Sequence, residues 1–275
     1  MQPTLTPVTS DGVTFLTDVT LLAETGIRVA FTQRHGGVSR APYATLNLGA
    51  YVGDDPAHVA ANRRRACRAL GLEETACTRL NSAQQVHGTT VAHAVCEAHE
   101  FPATDALVTD QADLSLLLCF ADCVPVIVVD PQVPAIGVIH SGWRGTLDEI
   151  TAVTLDEMVR TLGAEPARMY AYIGPYIKEP NFAVSVEIAE RFFARFDSTA
   201  LPSPYNKSAT ERINLNLGAC VSETLVKAGV RPCDIFESPI DTTTQTRDFF
   251  SYRAEAQVTG RFGALGCLHS SSSRS

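Results

Sequence analysis

The sequence has no apolar run long enough to span a bilayer, so we expect no membrane association. Its first twelve residues lack a basic region followed by an apolar one, and we therefore expect no signal peptide. The formal net charge of -8 gives no general attraction to nucleic-acid polymers or anionic membranes. These absences predict a soluble, cytoplasmic protein without nucleic-acid or membrane partners. We expect a monomer or a homodimer.

None of the eight cysteines belongs to a C-x-x-C pair. Scattered cysteines in a chain of 275 residues indicate neither a disulfide miniprotein nor the paired ligands of structural zinc. The chain also has only seven histidines, no His-x-His pair and three methionines, too few for a multicopper centre. We interpret the cysteines as reduced thiols of a cytoplasmic protein.

Length and composition are those of an ordinary globular enzyme, with 45% hydrophobic and 19% charged residues. Because no internal repeat or long linker divides the chain, we expect one domain over residues 1–268. The serine-rich residues 269–275 are expected to form a disordered tail. Residues 200–208, rich in Pro, Ser and Asn, are expected to form a loop.

Residues 116–145 carry the strongest pattern in the chain. Two β-branched-rich runs, 124–129 and 135–139, predict buried strands. Cys123 precedes the first run and His140 follows the second, so a thiol and an imidazole stand at strand ends. Strand ends are places where a rigid scaffold positions functional side chains.

A helix is predicted to follow this stretch over residues 146–162. Thr146 and Glu149 have the spacing of a capping box, and Gly163 is a natural stop signal. Arg144 would then lie between a strand end and a helix N-terminus, where backbone N–H groups favour anions. A second helix is predicted to begin with Asp55 as its N-cap and Pro56 at its first position.

Other candidate site residues lie at turns outside this stretch. Arg34 stands beside a Gly-Gly turn, Asn47 between two leucines, and His87 before Gly88 at a predicted strand bend. Each also has a structural explanation, as a surface Arg, a satisfied buried amide or a backbone-bonded His. The basic run over residues 63–65 is interpreted as a solvated helix face.

His87, Cys123 and His140 form the most informative group. Two imidazoles and a thiolate with an open fourth position are the ligands of a catalytic zinc site. Sequence spacing alone does not show that the three side chains converge.

The chain resembles the YfiH/laccase-domain family over about residues 30–265. The resemblance is carried by an ordered set of motifs: FTQRHGGVS, PYATLNLG, VGDDP followed by NR, QVHG, TDALVT, ADCVPV, HSGWRG, IGP and FFSYR with TGR. It implies an α+β fold, with mixed β-sheets in a sandwich-like core surrounded by helices and loops. It also implies zinc-dependent phosphorolysis of adenosine, inosine, guanosine and methylthioadenosine, with adenosine deamination as a further activity. An older label for the family is polyphenol oxidase or laccase.

The resemblance also implies roles for individual residues. The family's metal ligands fall on His87, Cys123 and His140, and its pocket positions fall on Arg34 and Asn47. These five are the expected catalytic residues. Two departures concern the substrate rim: Asp241-Thr242 stands where many members have Cys-Thr, and Ala183 where many have an acidic residue.

Purine nucleosides and phosphate are therefore the expected partners. Arg34 or Arg144 could orient the phosphate, and Asn47 could bind the ribose or the base. For deamination, a zinc-bound water could attack the purine ring. Known zinc deaminases place a Glu beside a His ligand, whereas His87 precedes Gly88, which favours phosphorolysis.

Three alternatives remain open from the sequence. A single copper could occupy a His₂Cys site and serve phenol oxidation, since copper binds such ligands more tightly than zinc. Cys123 could act as the nucleophile of a hydrolase or amidase, with His140 or His87 as its base. The protein could also be a binding protein without turnover.

Overall fold

Two β-sheets form the centre of the structure, a computed structural model that describes residues 2–72, 74–95, 97–196 and 212–269. The strands are β1 Thr6–Ser10, β2 Val13–Thr17, β3 Arg28–Thr32, β4 Leu80–Ala83, β5 Val91–His93, β6 Glu100–Phe101, β7 Ala106–Thr109, β8 Ser115–Phe120, β9 Val124–Asp130, β10 Ala135–Ser141, β11 Tyr170–Ile173, β12 Ala183–Ser185, β13 Arg212–Asn214, β14 Ile235–Glu237 and β15 Phe262–Cys267. The helices are α1 Val19–Thr25, α2 Pro56–Ala69, α3 Glu74–Thr78, α4 Trp143–Leu147, α5 Ile150–Leu162, α6 Val186–Arg195 and α7 Leu217–Lys227.

Both large sheets mix parallel and antiparallel pairs. The seven-stranded sheet has the order β1-β2-β3-β15-β8-β4-β6, and the six-stranded sheet has the order β14-β11-β9-β10-β7-β5. In the first sheet β4 runs parallel to β8 and β6, and in the second β5 runs parallel to β7. A short third sheet pairs β12 with β13.

The alternation of side chains along the strands explains the layers. On β9, Val126 and Val128 pack toward α5 and α7, whereas Ile127 and Val129 pack between the two sheets. On β8, Leu117 packs toward α2 and its neighbours pack between the sheets. Because central strands are buried on both faces, they are continuously apolar, as parallel or mixed central strands commonly are.

The predicted fold class is thereby confirmed: mixed sheets pack as a sandwich, with helices on the outer faces. Both predicted strands are present, although His140 lies inside β10 rather than after it. The predicted caps at Asp55 and Pro56 are also present, and Gly163 ends α5 with φ +68°. In the described part of the chain, no helix combines the length and apolar character needed to cross a membrane.

The predicted capping box at residues 146–149 is wrong. The helical segment begins three residues earlier with α4, and Thr146 lies within it, with its hydroxyl bonded to Gly142 O (3.0 Å) and to the Ser141 hydroxyl (2.8 Å). Glu149 then adopts φ +54°, so the chain breaks before α5 starts at Ile150. The local sequence favoured a cap, but the Thr146 hydroxyl is used instead to fix the turn after β10.

The predicted loop at residues 200–208 and residues 270–275 of the predicted tail lie outside the described residues. His269, the first residue of the predicted tail, lies within the described residues, and its Nδ1 is 3.2 Å from the Asp113 carboxylate.

Candidate active site

Three chain segments bring His87, Cys123 and His140 together. Strands β9 and β10 are antiparallel, with Ser141 opposite Val124, so the turn that precedes β9 lies beside the end of β10. This pairing places Cys123 next to His140. His87 comes from the loop after β4, in the other sheet, and the possible ligand atoms of the three residues lie within 4.8 Å of one another.

A buried carboxylate, Asp105, organises both histidines. One carboxylate oxygen lies 2.7 Å from His140 Nδ1, and the backbone N–H groups of His87 and Gly88 donate to the carboxylate at 2.9 and 2.8 Å. Its backbone oxygen also accepts from the His140 N–H at 2.7 Å. Because Asp105 occupies Nδ1, His140 keeps Nε2 available for a ligand, the arrangement typical of metal-bound histidines.

The charges of the group favour a thiolate. Burial raises the pKa of Cys123, but the charge and hydrogen bonds of His140 and His87 outweigh it and lower this pKa to about 6. Burial lowers the pKa of His140, while Cys123 and Asp105 raise it to about 9. Burial raises the pKa of Asp105. Its contact with His140 and the hydrogen bonds that it accepts from the Gly88 and His87 N–H groups outweigh this effect and lower the pKa below its usual value. A thiolate is the form of Cys123 that binds a metal or acts as a nucleophile.

Gly142 leaves the space in which these side chains meet. A Cβ atom at this position would lie 2.8 Å from His87 Cδ2 and 3.2 Å from Cys123 Sγ. Any side chain here would therefore push His87 and Cys123 away, which explains the glycine at position 142.

The three side chains stand at the wall of a cavity of about 400 Å³. Its lining comprises Gly49, Ala50, Tyr51, Val52, Arg63, Ala83, Gln85, His87, Cys119, Phe120, Ala121, Cys123, His140, Tyr252 and Arg261. Besides the two imidazoles, the lining thus contains three Phe or Tyr rings and two arginines, and among the described residues it contains no carboxylate. The volume is within the range of small-molecule sites.

The residues present fit a single metal ion. Two imidazoles and a thiolate match the donor set of a three-ligand zinc or copper site, and the neighbouring cavity leaves space for a further ligand. Over the described ranges, this is the one group of three or more such side chains close enough to share an ion. The set supports one metal rather than a multicopper centre.

Arg34 does not line the cavity. Its guanidinium donates to the Glu255 carboxylate at 2.9 Å and to the backbone oxygens of Ala44 and Thr246 at 3.2 and 2.6 Å. It also lies 4.3 Å from the centre of the Phe250 ring. With these partners, Arg34 joins its own turn to the 246–255 segment instead of presenting free donors to a ligand.

Asn47 and Arg144 also lie outside the lining. Asn47 is fully buried, donates to Asp54 (2.9 Å) and accepts from the N–H groups of Gly49 and Arg261 (3.0 and 2.8 Å). It therefore shapes the loop that borders the cavity. The Arg144 guanidinium stacks over Trp143, 4.4 Å from the ring centre.

Sequence reasoning missed several residues of the cavity. Arg63 belongs to the basic run interpreted as a solvated face, yet it is half-buried and lines the cavity. Arg261 lies in the TGR motif just before β15, and Tyr252 lies in FFSYR. The motifs of the second half offered a signal, but a motif does not indicate which of its side chains faces a ligand.

The fold and the site together define a class: α+β proteins in which two mixed sheets present one His₂Cys group at a cavity. The chain belongs to the family described as multi-copper polyphenol oxidoreductase laccase, whose family model matches residues 28–269.

Relatives with other names belong to the same group. A Deinococcus radiodurans protein named purine nucleoside phosphorylase is 40% identical over 86% of this chain and 87% of its own. A Corynebacterium glutamicum protein of the same name is 36% identical over 86% and 92%. The crystal structure of Bacillus licheniformis YfiH superposes with a TM-score of 0.83 at 28% identity, covering 94% of this chain and 97% of that one. The resemblance to YfiH proteins is confirmed, and the names of the relatives support an enzyme.

Proposed function

We propose that the protein is a zinc-dependent purine nucleoside phosphorylase that acts on adenosine, inosine, guanosine and methylthioadenosine. One observation carries the proposal: His87, Cys123 and His140 converge at the wall of a cavity large enough for a nucleoside. The names of the relatives from Deinococcus and Corynebacterium supply the reaction class. The seven described cysteines are free thiols, which supports a cytoplasmic location.

The chain's own residues have definable tasks in this reaction. His87, Cys123 and His140 would hold the metal, and Asp105 would keep His140 in the orientation that directs Nε2 to it. The rings of Phe120, Tyr51 and Tyr252 offer apolar surface to a planar purine. A bound zinc ion would supply fixed positive charge that polarises an oxygen or nitrogen of the substrate.

Deamination of adenosine is the less favoured reaction at this site. Zinc deaminases use a Glu as general acid and base beside the metal. Among the described residues, the cavity lining offers no Glu or Asp, and Asp105 is fully buried and engaged by His140 and backbone N–H groups. A cationic lining instead suits a reaction in which phosphate is the co-substrate.

Two alternative functions, a cysteine hydrolase and a copper phenol oxidase, can be distinguished from the phosphorylase by simple experiments. A cysteine hydrolase would also use the low pKa of Cys123 beside His140, but ligation to a metal would occupy the same thiolate. Activity that survives a chelator and is lost on alkylation would therefore identify the hydrolase. Metal analysis of protein from unsupplemented cells distinguishes zinc from copper, and hence the phosphorylase from a phenol oxidase.

The test is a time course with adenosine, with and without phosphate, resolving adenine, inosine and hypoxanthine by chromatography. We expect adenine release that requires phosphate and is lost in Cys123→Ala. The matched control is Cys233→Ala, because Cys233 is exposed and lies outside the cavity lining.

Other outcomes have definite meanings. Inosine formed without phosphate would identify adenosine deamination, rather than phosphorolysis, as the reaction of this site. If the folded, metal-loaded protein gave no product from any of the four nucleosides, the proposed function would be wrong. Tight nucleoside binding without turnover would then identify a binding protein.

A further inference from the structure

Two arginines, Arg63 on α2 and Arg261 before β15, reach the cavity from different parts of the chain. Arg63 donates to Leu48 O at 3.0 Å and to the Ser82 hydroxyl at 3.3 Å. Arg261 donates to the backbone oxygens of Thr259 and Gly260 at 2.8 and 2.9 Å. These bonds fix both guanidinium groups and leave further N–H donors on each of them without an oxygen acceptor in the described residues.

Both arginines lie against the same segment of the chain. Arg63 Nε donates to Leu48 O at 3.0 Å, the Leu48 N–H donates to Arg261 O at 2.9 Å, and the stem of Arg261 lies against Gly49. Both arginines and Gly49 line the cavity, so the two positive charges border one part of its wall. Burial raises the pKa of Cys119, another lining residue, and the charges of Arg63 and Arg261 oppose this rise.

Neither arginine has a carboxylate partner within 4.0 Å in the part of the chain that the structure describes, in contrast to Arg34, which pairs with Glu255. Arg261 is half-buried, and this burial lowers its pKa. Glu100 accepts a long 3.5 Å bond from the Ser82 hydroxyl and is absent from the cavity lining. Half-buried guanidinium groups without a carboxylate partner lose hydration, which is costly unless an anion compensates them.

The backbone around Arg261 is shaped to receive its side chain. A Cβ at Gly49 would lie 2.7 Å from Arg261 Cγ and 3.0 Å from its Cβ, so only glycine leaves room for the arginine stem. Asn47 Oδ1 accepts from both the Gly49 and the Arg261 N–H groups, at 3.0 and 2.8 Å, and so joins the two segments. Asn47 thus contributes to the position of Arg261.

We propose that Arg63 and Arg261 form an oxyanion site that binds inorganic phosphate, the co-substrate, beside the His₂Cys group. This inference rests on the proposed function and assigns the phosphate to residues other than Arg34 and Arg144. Guanidinium groups suit it because their paired N–H donors match the spacing of phosphate oxygens.

The step that this site serves is balanced without a further reactant. A phosphate oxygen forms a bond to C1′ of the ribose, and the C1′–N9 bond breaks with its electron pair going to the purine. The proton of HPO₄²⁻ passes to the departing base, so the products are the free purine and ribose 1-phosphate. Arg63 and Arg261 hold the phosphate oxygens and neutralise their charge while the nucleophile is oriented.

The experiment compares Arg63→Gln and Arg261→Gln with Arg64→Gln, a matched control on the exposed side of the same helix. Initial rates are measured over phosphate and adenosine concentrations with metal-loaded enzyme. Loss of charged hydrogen bonds predicts a rise of about tenfold or more in the KM for phosphate, with the KM for adenosine changed less than about twofold. Arg63→Lys and Arg261→Lys keep the charge and should give intermediate values.

Calorimetric titration with inorganic phosphate alone gives a second readout that needs no turnover. Binding to the zinc-loaded protein should weaken in both Gln variants and in Gly49→Ala, and it should be unchanged in Arg64→Gln. If the wild type bound phosphate through these arginines but cleaved no nucleoside, the oxyanion site would stand and the proposed function would fail.

Two results would overturn the oxyanion site. The first is phosphorolysis with an unchanged KM for phosphate in both Gln variants, which would leave the proposed function intact. The second is a loss of zinc binding, phosphate binding and adenosine binding that is as large in the Lys variants as in the Gln variants. That pattern would indicate that the two arginines have a purely structural role.

Discussion

Asp105 shows how one buried residue can determine a whole site. Its carboxylate contacts His140 Nδ1 and accepts from the N–H groups of Val86, His87 and Gly88. The same residue therefore fixes the ring of one candidate ligand and the backbone of another. His87 has φ +64°, an uncommon conformation for a non-glycine residue, and the Asp105 contacts hold it there.

Replacing Asp105 with Asn should weaken metal binding without removing a ligand. An amide has one acceptor oxygen where the carboxylate has two, so Asn cannot satisfy the backbone N–H groups and His140 together. Loss of such a supporting carboxylate typically costs about 10- to 100-fold in metal affinity. Competition with a zinc chelator measures this change.

The matched control for this prediction is Asp110→Asn. Asp110 also pairs with a histidine, His93, at 3.7 Å, but neither residue lines the cavity. Equal zinc affinity of the wild type and Asp105→Asn would contradict the role assigned to Asp105.

The candidate ligands could be found from sequence because each lies in a distinctive motif at a strand end or bend. Asp105 could not be assigned to them, since its contact with His140 spans 35 positions and depends on the packing of β10 against β7. The same limit applies to Arg34 and Arg63. Both are arginines beside turns or helices, and only tertiary contacts show that one pairs with Glu255 while the other reaches the cavity.

At the scale of elements, both strands of the central stretch and the start of α2 were predictable, whereas the helix start after β10 was not. The runs that form β9 and β10 are apolar because both faces of these strands are buried, so their sequence signal is strong. The Thr146 hydroxyl bonds to Gly142 O at the start of α4, and the left-handed Glu149 separates α4 from α5; the capping pattern indicates neither feature. Propensity described the segment correctly as helical and misplaced its beginning by three residues.

The end of β9 offers a test of element packing. Asp130, whose side chain is fully buried, accepts from the Arg168 guanidinium at 3.0 Å and from the N–H groups of Glu165 and Gln132 at 2.9 and 3.0 Å. It therefore ties β9 to its turn and to the segment after α5. Removing such buried, charge-assisted bonds in Asp130→Ala should lower the free energy of unfolding by about 2–3 kcal/mol.

This contribution should depend on pH with a definite sign. Burial raises the pKa of Asp130, but the Glu165 N–H, Arg168 and further N–H donors outweigh it and lower the pKa below its usual value. A group with a lowered folded pKa stabilises the protein above its unfolded pKa, near pH 4, and loses this effect as pH falls through the folded pKa. Urea unfolding at pH 7 and pH 3 should show a larger gap between wild type and Asp130→Ala at pH 7. A gap that widened at pH 3 would contradict the assignment.

At the scale of the whole molecule, the candidate metal site lies where the two sheets meet. His87 follows β4 of the seven-stranded sheet, His140 belongs to β10 of the six-stranded sheet, and Cys123 lies on the turn from β8 to β9, which passes between them. An ion held by these three residues would cross-link both halves of the sandwich. The unfolded chain, in which the three residues are far apart, would not form such a site.

Metal binding should therefore stabilise the entire fold as well as the active site. At a free zinc concentration 100 times the dissociation constant, the gain in the free energy of unfolding is about 2.7 kcal/mol. We expect a chelator to lower the unfolding temperature of the wild type and to leave that of Cys123→Ala unchanged, since this variant lacks the ligand between the sheets. Cys233→Ala should respond like the wild type. An equal response of Cys123→Ala and the wild type would place the stabilising ion elsewhere, and the cross-link between the sheets would be wrong.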